Sequence, residues 1–439
     1  MAELKFGISL PELLLPTKHI DLNKWAVIAC DQFTSQPEYW QAVEDLVGNS
    51  PSTLRMILPE VYLSKNEEEE TQRIHNTIQS MQNYLREGVF ESRTGMVFVE
   101  RTINGHTRQG LVVCLDLEAY DFRITAQTLV RASEGTIIER IPPRVRIRKD
   151  APIETSHILV LYDDPEDTVL SEVKQEKTTL PVCYDFDLMM GSGSIIGRLV
   201  NEPRLILSIY TALANLADGD NFCHKYDLPE GIKPLLFAVG DGNHSLATAK
   251  TIWEQLKPFV GMDHPARYAL VEIINLHDPA MEFEPIHRVL YNAPDNLIAL
   301  MKDHFGDDFQ LITVKDLTDL TSHVNQTKNS EQFCGLITSK GYFIARFTST
   351  TSNLTVGTLQ PFLDKLCKDD PGVKIDYIHG KDVLEKIALG KGNAGFFLPA
   401  IEKNQFFNTV IRDGAFPRKT FSMGEANEKR FYLECRKIK

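Results

Sequence analysis

The sequence predicts a mixed α/β and α+β protein, and three features predict it. Apolar, strand-like runs end in polar loops that open into amphipathic helices, first around residues 25–47 and again around 234–256. Asn104-Gly105, the strongest short turn signal in the chain, lies between two apolar runs and predicts a hairpin. Beyond residue 292 the pattern changes to short helices and strands separated by polar spacers. With 439 residues, 43% of them hydrophobic and 24% charged, the chain has material for two or three domains and a deep cleft.

In chain order, residues 25–30 predict an apolar strand ending at Asp31-Gln32, and the loop 31–34 after it is a usual place for ligand contacts. Ser35 and Glu38 match a capping box ahead of an amphipathic helix over 39–47. A long helix over 67–88 carries Ile74, Ile78, Met81 and Leu85 inward, and Glu67 to Glu70 at its start favour the helix dipole. Residues 96–101 and 107–117 form the hairpin around Asn104-Gly105. Arg144, Arg146 and Arg148 alternate with Val145 and Ile147, which predicts one polar face of a strand. The glycine-rich run 189–198 lacks the Lys-Ser/Thr of a phosphate-binding loop and predicts a turn or bulge. A helix over 203–216 carries Leu205, Ile206, Ile209, Leu213 and Leu216 to the core.

Formal net charge is −13, which repels polyanionic duplexes and gives no attraction to acidic membranes, so nucleic acid and membrane are poor partners. No apolar window reaches a spanning length and the N-terminus lacks a secretion signal, so the expected location is cytoplasmic. Seven scattered cysteines, with no C-x-x-C pair, read as reduced and mostly buried thiols.

The chemistry concentrates at Phe237-Ala238-Val239-Gly240-Asp241-Gly242-Asn243-His244-Ser245, where a strand over 234–239 meets a helix over 243–256. Gly240 and Gly242 permit unusual dihedrals and close approach of a ligand, and the amides of the helix's first turn make a backbone anion site. A tight turn with Asp241 or Asn243 as a plain helix cap is the competing assignment. Arg140 and Arg144 belong to a basic segment in an otherwise acidic chain, which draws a polyanionic ligand.

The motif resembles the A-D-G-H-H-R signature of the family known as domain of unknown function 1015. Ser133-Glu134-Gly135-Thr136 with Arg140 and Arg144, Ser156-His157-Ile158 leading to Asp163-Asp164, and Pro285-Ile286-His287-Arg288 match its other blocks. More widely, the turn is similar to the phosphate-contacting turn of the ParB/sulfiredoxin superfamily, which includes kinases of free serine. This chain departs from the pattern at Asn243, in place of a histidine, and at Ser245, in place of an arginine. The lost arginine removes a fixed charge beside the phosphate, so another cation must replace it, with Arg288 and the 140–149 block as candidates.

The resemblance implies a ParB/sulfiredoxin-like nucleotide-binding core with an added α+β domain. The expected layout is a catalytic region over 1–291, with a possible split near 150–180, and a smaller α+β domain over 292–439. The tail of that smaller domain, with Lys419, Lys429 and Arg430, returns to the core or forms a surface cluster. The implied activity is a phosphotransferase using a nucleotide or pyrophosphate and a small hydroxyl metabolite such as serine or phosphoserine. A phosphatase or hydrolase at the same site, or a non-catalytic nucleotide-responsive regulator, is the alternative. Phosphoryl transfer is mostly alignment and charge neutralisation, usually with magnesium. Asp241, His244, Glu134 and Asp31 are the expected catalytic residues, with Asp241 on the magnesium. Gly240, Gly242, Asn243, Ser245, Arg140, Arg144, His287 and Arg288 are the expected phosphate contacts.

Overall fold

A computed structural model describes residues 6–63, 67–135, 141–326, 331–350 and 352–439. The fold is mixed α/β, and the chain divides into two compact units, residues 1–281 with 424–439, and residues 282–423. The break therefore precedes the one expected at residue 292. Strand Phe283–Tyr291 pairs with Lys374–His379, Asn393–Phe397 and Phe421–Met423, which makes it an internal strand of the second unit.

The first unit is built on a ten-stranded mixed sheet. Its order is Val182–Asp187, Ser194–Val200, Met96–Ile103, His106–Asp116, Tyr268–Asn275, Leu159–Tyr162, Phe237–Asp241, Val130–Arg131 and Tyr120–Asp121, with Ile8–Ser9 also on His106–Asp116. The hairpin turn takes positive φ at both Asn104 and Gly105, the geometry that matches strand twist. Its strands are apolar on both faces. Phe98, Leu111, Val113 and Leu115 pack with Leu205, Ile209, Leu246 and Trp253 from helices Pro203–Leu216 and Asn243–Val260. Val97, Val99, Val112 and Cys114 point the other way, to Trp25, Trp40, Val43 and Phe431. The helix face thus lies under the Asp241 turn.

Several local expectations are corrected. Residues 25–30 do not form a full strand, because Asp21 caps a short helix Leu22–Trp25 and only Val27–Ile28 is extended. Helix Pro37–Val47 starts at Pro37 with no side-chain cap, so proline's fixed φ does the work expected of a capping box. The basic segment is a helix, Ile141–Arg148, and not a strand: Pro142-Pro143 at its start suits a first helical turn and cannot serve a strand ladder. Arg146 and Arg148 pair with Glu70 and Glu154, so neither is simply solvated.

Residues 424–439 are stitched into the first unit. Phe431–Tyr432 pairs with Val27–Ile28, and Cys435–Lys437 pairs with Ile153–Thr155 and, through Cys435, with Leu14. Just ahead of the first of these strands Arg430 is 4% exposed, with Nε 2.7 Å from Glu272 and Nη2 2.7 Å from Glu434. Burial opposes its charge, but Glu434 and Glu272 outweigh that and hold it more firmly protonated than an ordinary arginine. Arg436 makes a second pair with Glu154 at 2.7 Å, shared with Arg148.

The second unit carries its own seven-stranded sheet, ordered Phe309–Val314, Gly341–Phe347, Gln332–Thr338, Asn393–Phe397, Phe283–Tyr291 and Lys374–His379, with Phe421–Met423 on Phe283–Tyr291. Val289, Leu320, Ile337, Ile344 and Leu384 fill one of its faces. Among the described residues no helix is long and apolar enough to cross a membrane.

Removing one member of a buried ion cluster leaves its partners charged and unpaired. Arg430→Met should therefore cost about 3–5 kcal/mol in urea unfolding, and adding Glu434→Gln should restore part of it. An unfolding midpoint unchanged in Arg430→Met would show that the tail is not held by this charge.

Candidate functional site

Strand Phe237–Asp241 enters the site through an irregularity. Leu159 pairs with Asp241 while Val160 pairs with Val239, so Gly240 is the extra residue of a bulge, which re-aims Asp241 out of the strand's register. Gly240 takes no positive φ, and the unusual dihedral expected of both glycines belongs to Gly242 alone, at φ 83°. A Cβ on Gly242 would sit 3.0 Å from Ile158 Cγ1 and 3.2 Å from its Cα. The turn is therefore pressed against the 156–158 segment, and any side chain there forces them apart. Helix Asn243–Val260 begins with Gly242 as its N-cap and no side-chain cap bond, so neither Asp241 nor Asn243 is the plain helix cap.

The side chains of the turn are committed in different directions. Asn243 Oδ1 accepts from the Ser133 amide at 3.2 Å and its Nδ2 donates to Ser133 Oγ at 3.2 Å, both groups buried. The departure from histidine at this position thus gives a two-bond clasp onto the 133–135 segment, which carries the half-buried Glu134. Asp241 Oδ1 accepts from the Gly242 amide at 2.8 Å, and Oδ2 lies 3.2 Å from Lys429 Nζ. His244 and Ser245 are half-buried in the first helical turn.

Lys429 is one of the tail cations for which the sequence left two places open, completing the phosphate site or joining a surface cluster. Its side chain is 9% exposed, and it also faces Asp31. Burial works against charge on Asp31, but His157, the Gln32 amide at 2.9 Å, Lys429 and its own backbone amide together hold the carboxyl below the usual range. His157 in turn shares a 2.7 Å hydrogen bond between Nδ1 and the Tyr432 hydroxyl, which also lies 3.1 Å from Cys30 Sγ. Burial, and next the Asp31 charge, push the Cys30 thiol up to about 12, so it is no thiolate nucleophile. Asp31, Asp241, His157, Tyr432 and Lys429 thus come together around the start of the helix. The spaced blocks at 133–136 and 156–158 were the available signal for Ser133 and His157; Tyr432 carried none.

Of the remaining expected residues, Arg144 lines one cavity with Ser245, His157 and Tyr432, and His287 and Arg288 belong to the second unit. Arg144 is on helix Ile141–Arg148 and pairs with Glu60, whose amide bonds the Cys30 carbonyl at 2.8 Å. Arg140 lies outside the described residues. His287 and Arg288 belong to the second unit and are interior groups there. Arg288 is fully buried, donating to Gln360 Oε1 at 3.0 Å and to the carbonyls of Ile286, Lys419 and Arg418. A guanidinium used up on backbone carbonyls is a scaffold, so Arg288 is withdrawn as the replacement cation. His287 Nδ1 accepts from the Leu398 amide at 3.1 Å, and burial, then Arg288, lower its pKa to about 4, so it too is withdrawn as a phosphate contact.

A family model described as a protein of unknown function, DUF1015, matches residues 14–366. The chain belongs to the DUF1015 family. No curated protein matches this DUF1015 member at a significant level. Among solved structures, a conserved hypothetical protein from Pyrococcus furiosus is similar at 11% identity and a TM-score of 0.36, covering 73% of this chain and 90% of that one. A free serine kinase variant in complex with AMP is similar at 11% identity and a TM-score of 0.39, covering 75% and 91%. The same type of variant with ADP gives 11% and 0.39, over 75% and 92%.

Two outcomes check this geometry. Gly242→Ala should lower stability by about 2 kcal/mol or more, since the left-handed backbone and the Ile158 contact both oppose a Cβ; an unchanged urea midpoint would contradict the close approach. His287 has a folded pKa near 4 against an ordinary 6.5, so its neutral form is favoured by folding. The stability it contributes is complete above about pH 6.5 and is lost as pH falls towards 4, on the order of 3 kcal/mol in all. His287→Asn, which keeps an acceptor for Leu398, should flatten the fall in urea midpoint between pH 7 and pH 4.5.

Proposed function

We propose that the Asp241 turn is a phosphoryl-transfer site, at which a nucleotide or pyrophosphate donates phosphate to a small hydroxyl metabolite. The observation that carries this is Lys429 at 3.2 Å from Asp241, beside an uncapped helix start. Ser245 stands where the family signature has an arginine, and Lys429 supplies a positive charge in its place. The first-turn amides of residues 243–245 and the Lys429 ammonium together neutralise phosphate oxygens, which is the main demand of this chemistry.

In the transfer step the bond between the terminal phosphorus and its bridging oxygen breaks, and a bond from the acceptor hydroxyl oxygen to that phosphorus forms. The leaving nucleotide, shorter by its terminal phosphate, or phosphate where pyrophosphate is the donor, keeps the electron pair. The hydroxyl proton goes to a carboxylate, and the role is assigned to Asp31: it too is bonded by Gln32 and faces His157 and Lys429, but both oxygens of Asp241 are taken, by the Gly242 amide and Lys429. Asp241 then orients Lys429, while His244 and Ser245, at the mouth of the helix, contact phosphate. Glu134 is held close to the turn by the Ser133 clasp and remains a candidate second acid. Among the described residues no group of three or more His, Cys, Asp or Glu side chains can hold a metal. Asp31 and Asp241 suit only magnesium that arrives on the polyphosphate, as this ion is commonly held.

The test is phosphorus NMR of the protein with magnesium, a nucleotide panel or pyrophosphate, and serine or phosphoserine. A new phosphoester should form. Asp31→Asn should reduce kcat by about 10²-fold or more with the nucleotide Kd nearly unchanged, whereas Lys429→Ala should weaken Kd and lower kcat together. Phosphate release with no ester would make the site a hydrolase, and tight nucleotide binding without turnover would make it a switch.

A further inference from the structure

Ser245 and Thr248 face a cavity of about 140 Å³ in the first unit. Its walls are mostly hydrocarbon, supplied by Met56, Ile57, Met81, Ile147, Ile153 and Ile158. The polar groups on its lining are nearly all spent on protein partners. Glu154 accepts from the Leu270 amide at 3.0 Å and from Arg436 Nε at 2.7 Å, and pairs with Arg148 at 2.5 Å. Thr155 donates to the Glu434 carbonyl, Ser156 Oγ accepts from the Ile158 amide, and Thr248 donates to the His244 carbonyl. Arg144 is paired with Glu60, and Tyr432 with His157 and Cys30.

Ser245 is the exception. Among the described residues its hydroxyl makes no hydrogen bond, and it stands where the family signature carries the long cation. The short serine side chain leaves the space beside the first helical turn unfilled. A purine or another polar ring pushed into this cavity would lose hydrogen bonds to water and find few in return. A hydrocarbon group loses none, and the volume is close to the roughly 150 Å³ of an apolar cavity that holds benzene.

We propose that this cavity seats a compact hydrocarbon group of the molecule whose hydroxyl or phosphate end lies at the 242–245 turn. The acceptor is then a hydroxylated metabolite bearing a branched or aromatic hydrocarbon group, and not bare serine. This rests on the phosphotransfer assignment above and names the substrate class for the same site. Ser245 lies between the two halves, its backbone facing the phosphate and its small side chain leaving room for the apolar group.

The experiment has two arms on the full chain. In the first, benzene is titrated into the wild-type protein and into Ala151→Leu, which fills the cavity wall, with binding followed by NMR. In the second, 3-phenylserine and serine compete as acceptors in the phosphorus NMR assay. A saturable benzene site weakened at least tenfold by Ala151→Leu, together with a kcat/KM at least tenfold higher for 3-phenylserine, is the expected result. Ala151→Leu should erase that preference while leaving serine turnover in place. The proposal is overturned if folded wild-type protein shows no saturable benzene site, or if serine is used as well as or better than 3-phenylserine. If benzene binds but neither compound accepts phosphate from any donor, the apolar seat is supported and the phosphotransfer assignment is what fails.

Discussion

The buried guanidinium of Arg430, held between Glu272 and Glu434, is the constraint on which the rest of the site depends. It fixes a tail that contributes two of the site's groups within four consecutive residues. Lys429 precedes it and reaches Asp241; Tyr432 follows it and reaches His157 and Cys30. Phe431 between them is 2% exposed and pairs with Ile28. A buried ion cluster of this kind contributes less to net stability than to register, because desolvation offsets most of its attraction while any slip strands a charge. That is what a site needs whose cation arrives from the end of the chain.

The turn itself is positioned by three independent devices. A bulge at Gly240 swings Asp241 off the strand, the left-handed Gly242 lets the backbone touch Ile158, and the Asn243 clasp ties the helix start to Ser133. The bulge and Gly242 both meet the 156–164 stretch, at Leu159–Val160 and at Ile158, and the Asn243 clasp meets the 133–136 block. Two of the family's blocks thus meet at this turn, while the block at 285–288 belongs to the second unit. The chain is acidic overall, and at this turn Lys429 and the uncapped helix start are the positive features that face Asp31 and Asp241.

The departures from the family signature divide the same way. Asn243 converts a position that carries histidine in the signature into a structural clasp. Ser245 gives up a charge and a long side chain; in the function proposed above Lys429 restores the charge, and an apolar cavity lies beside Ser245. A site can keep its electrostatics while changing its shape when the two properties are carried by different residues.

By itself the sequence determined what depends on near neighbours. The strand, the glycine turn and the helix at 243 follow from hydrophobic period and from glycine's access to positive φ, and the Asn104-Gly105 hairpin follows from turn chemistry. The helix Ile141–Arg148 was misjudged because alternating arginines mimic a strand, while the decisive signal was the proline pair at its start. Only the tertiary structure decided which charges meet. Arg288 and Lys429 look equally available in the sequence, yet one is consumed by carbonyls in the second unit's interior and the other faces Asp241. Pairing between distant segments is set by sheet register and by burial, and no local pattern encodes either, so the cation, the Tyr432–His157 contact and the cavity behind Ser245 became visible only in the folded chain.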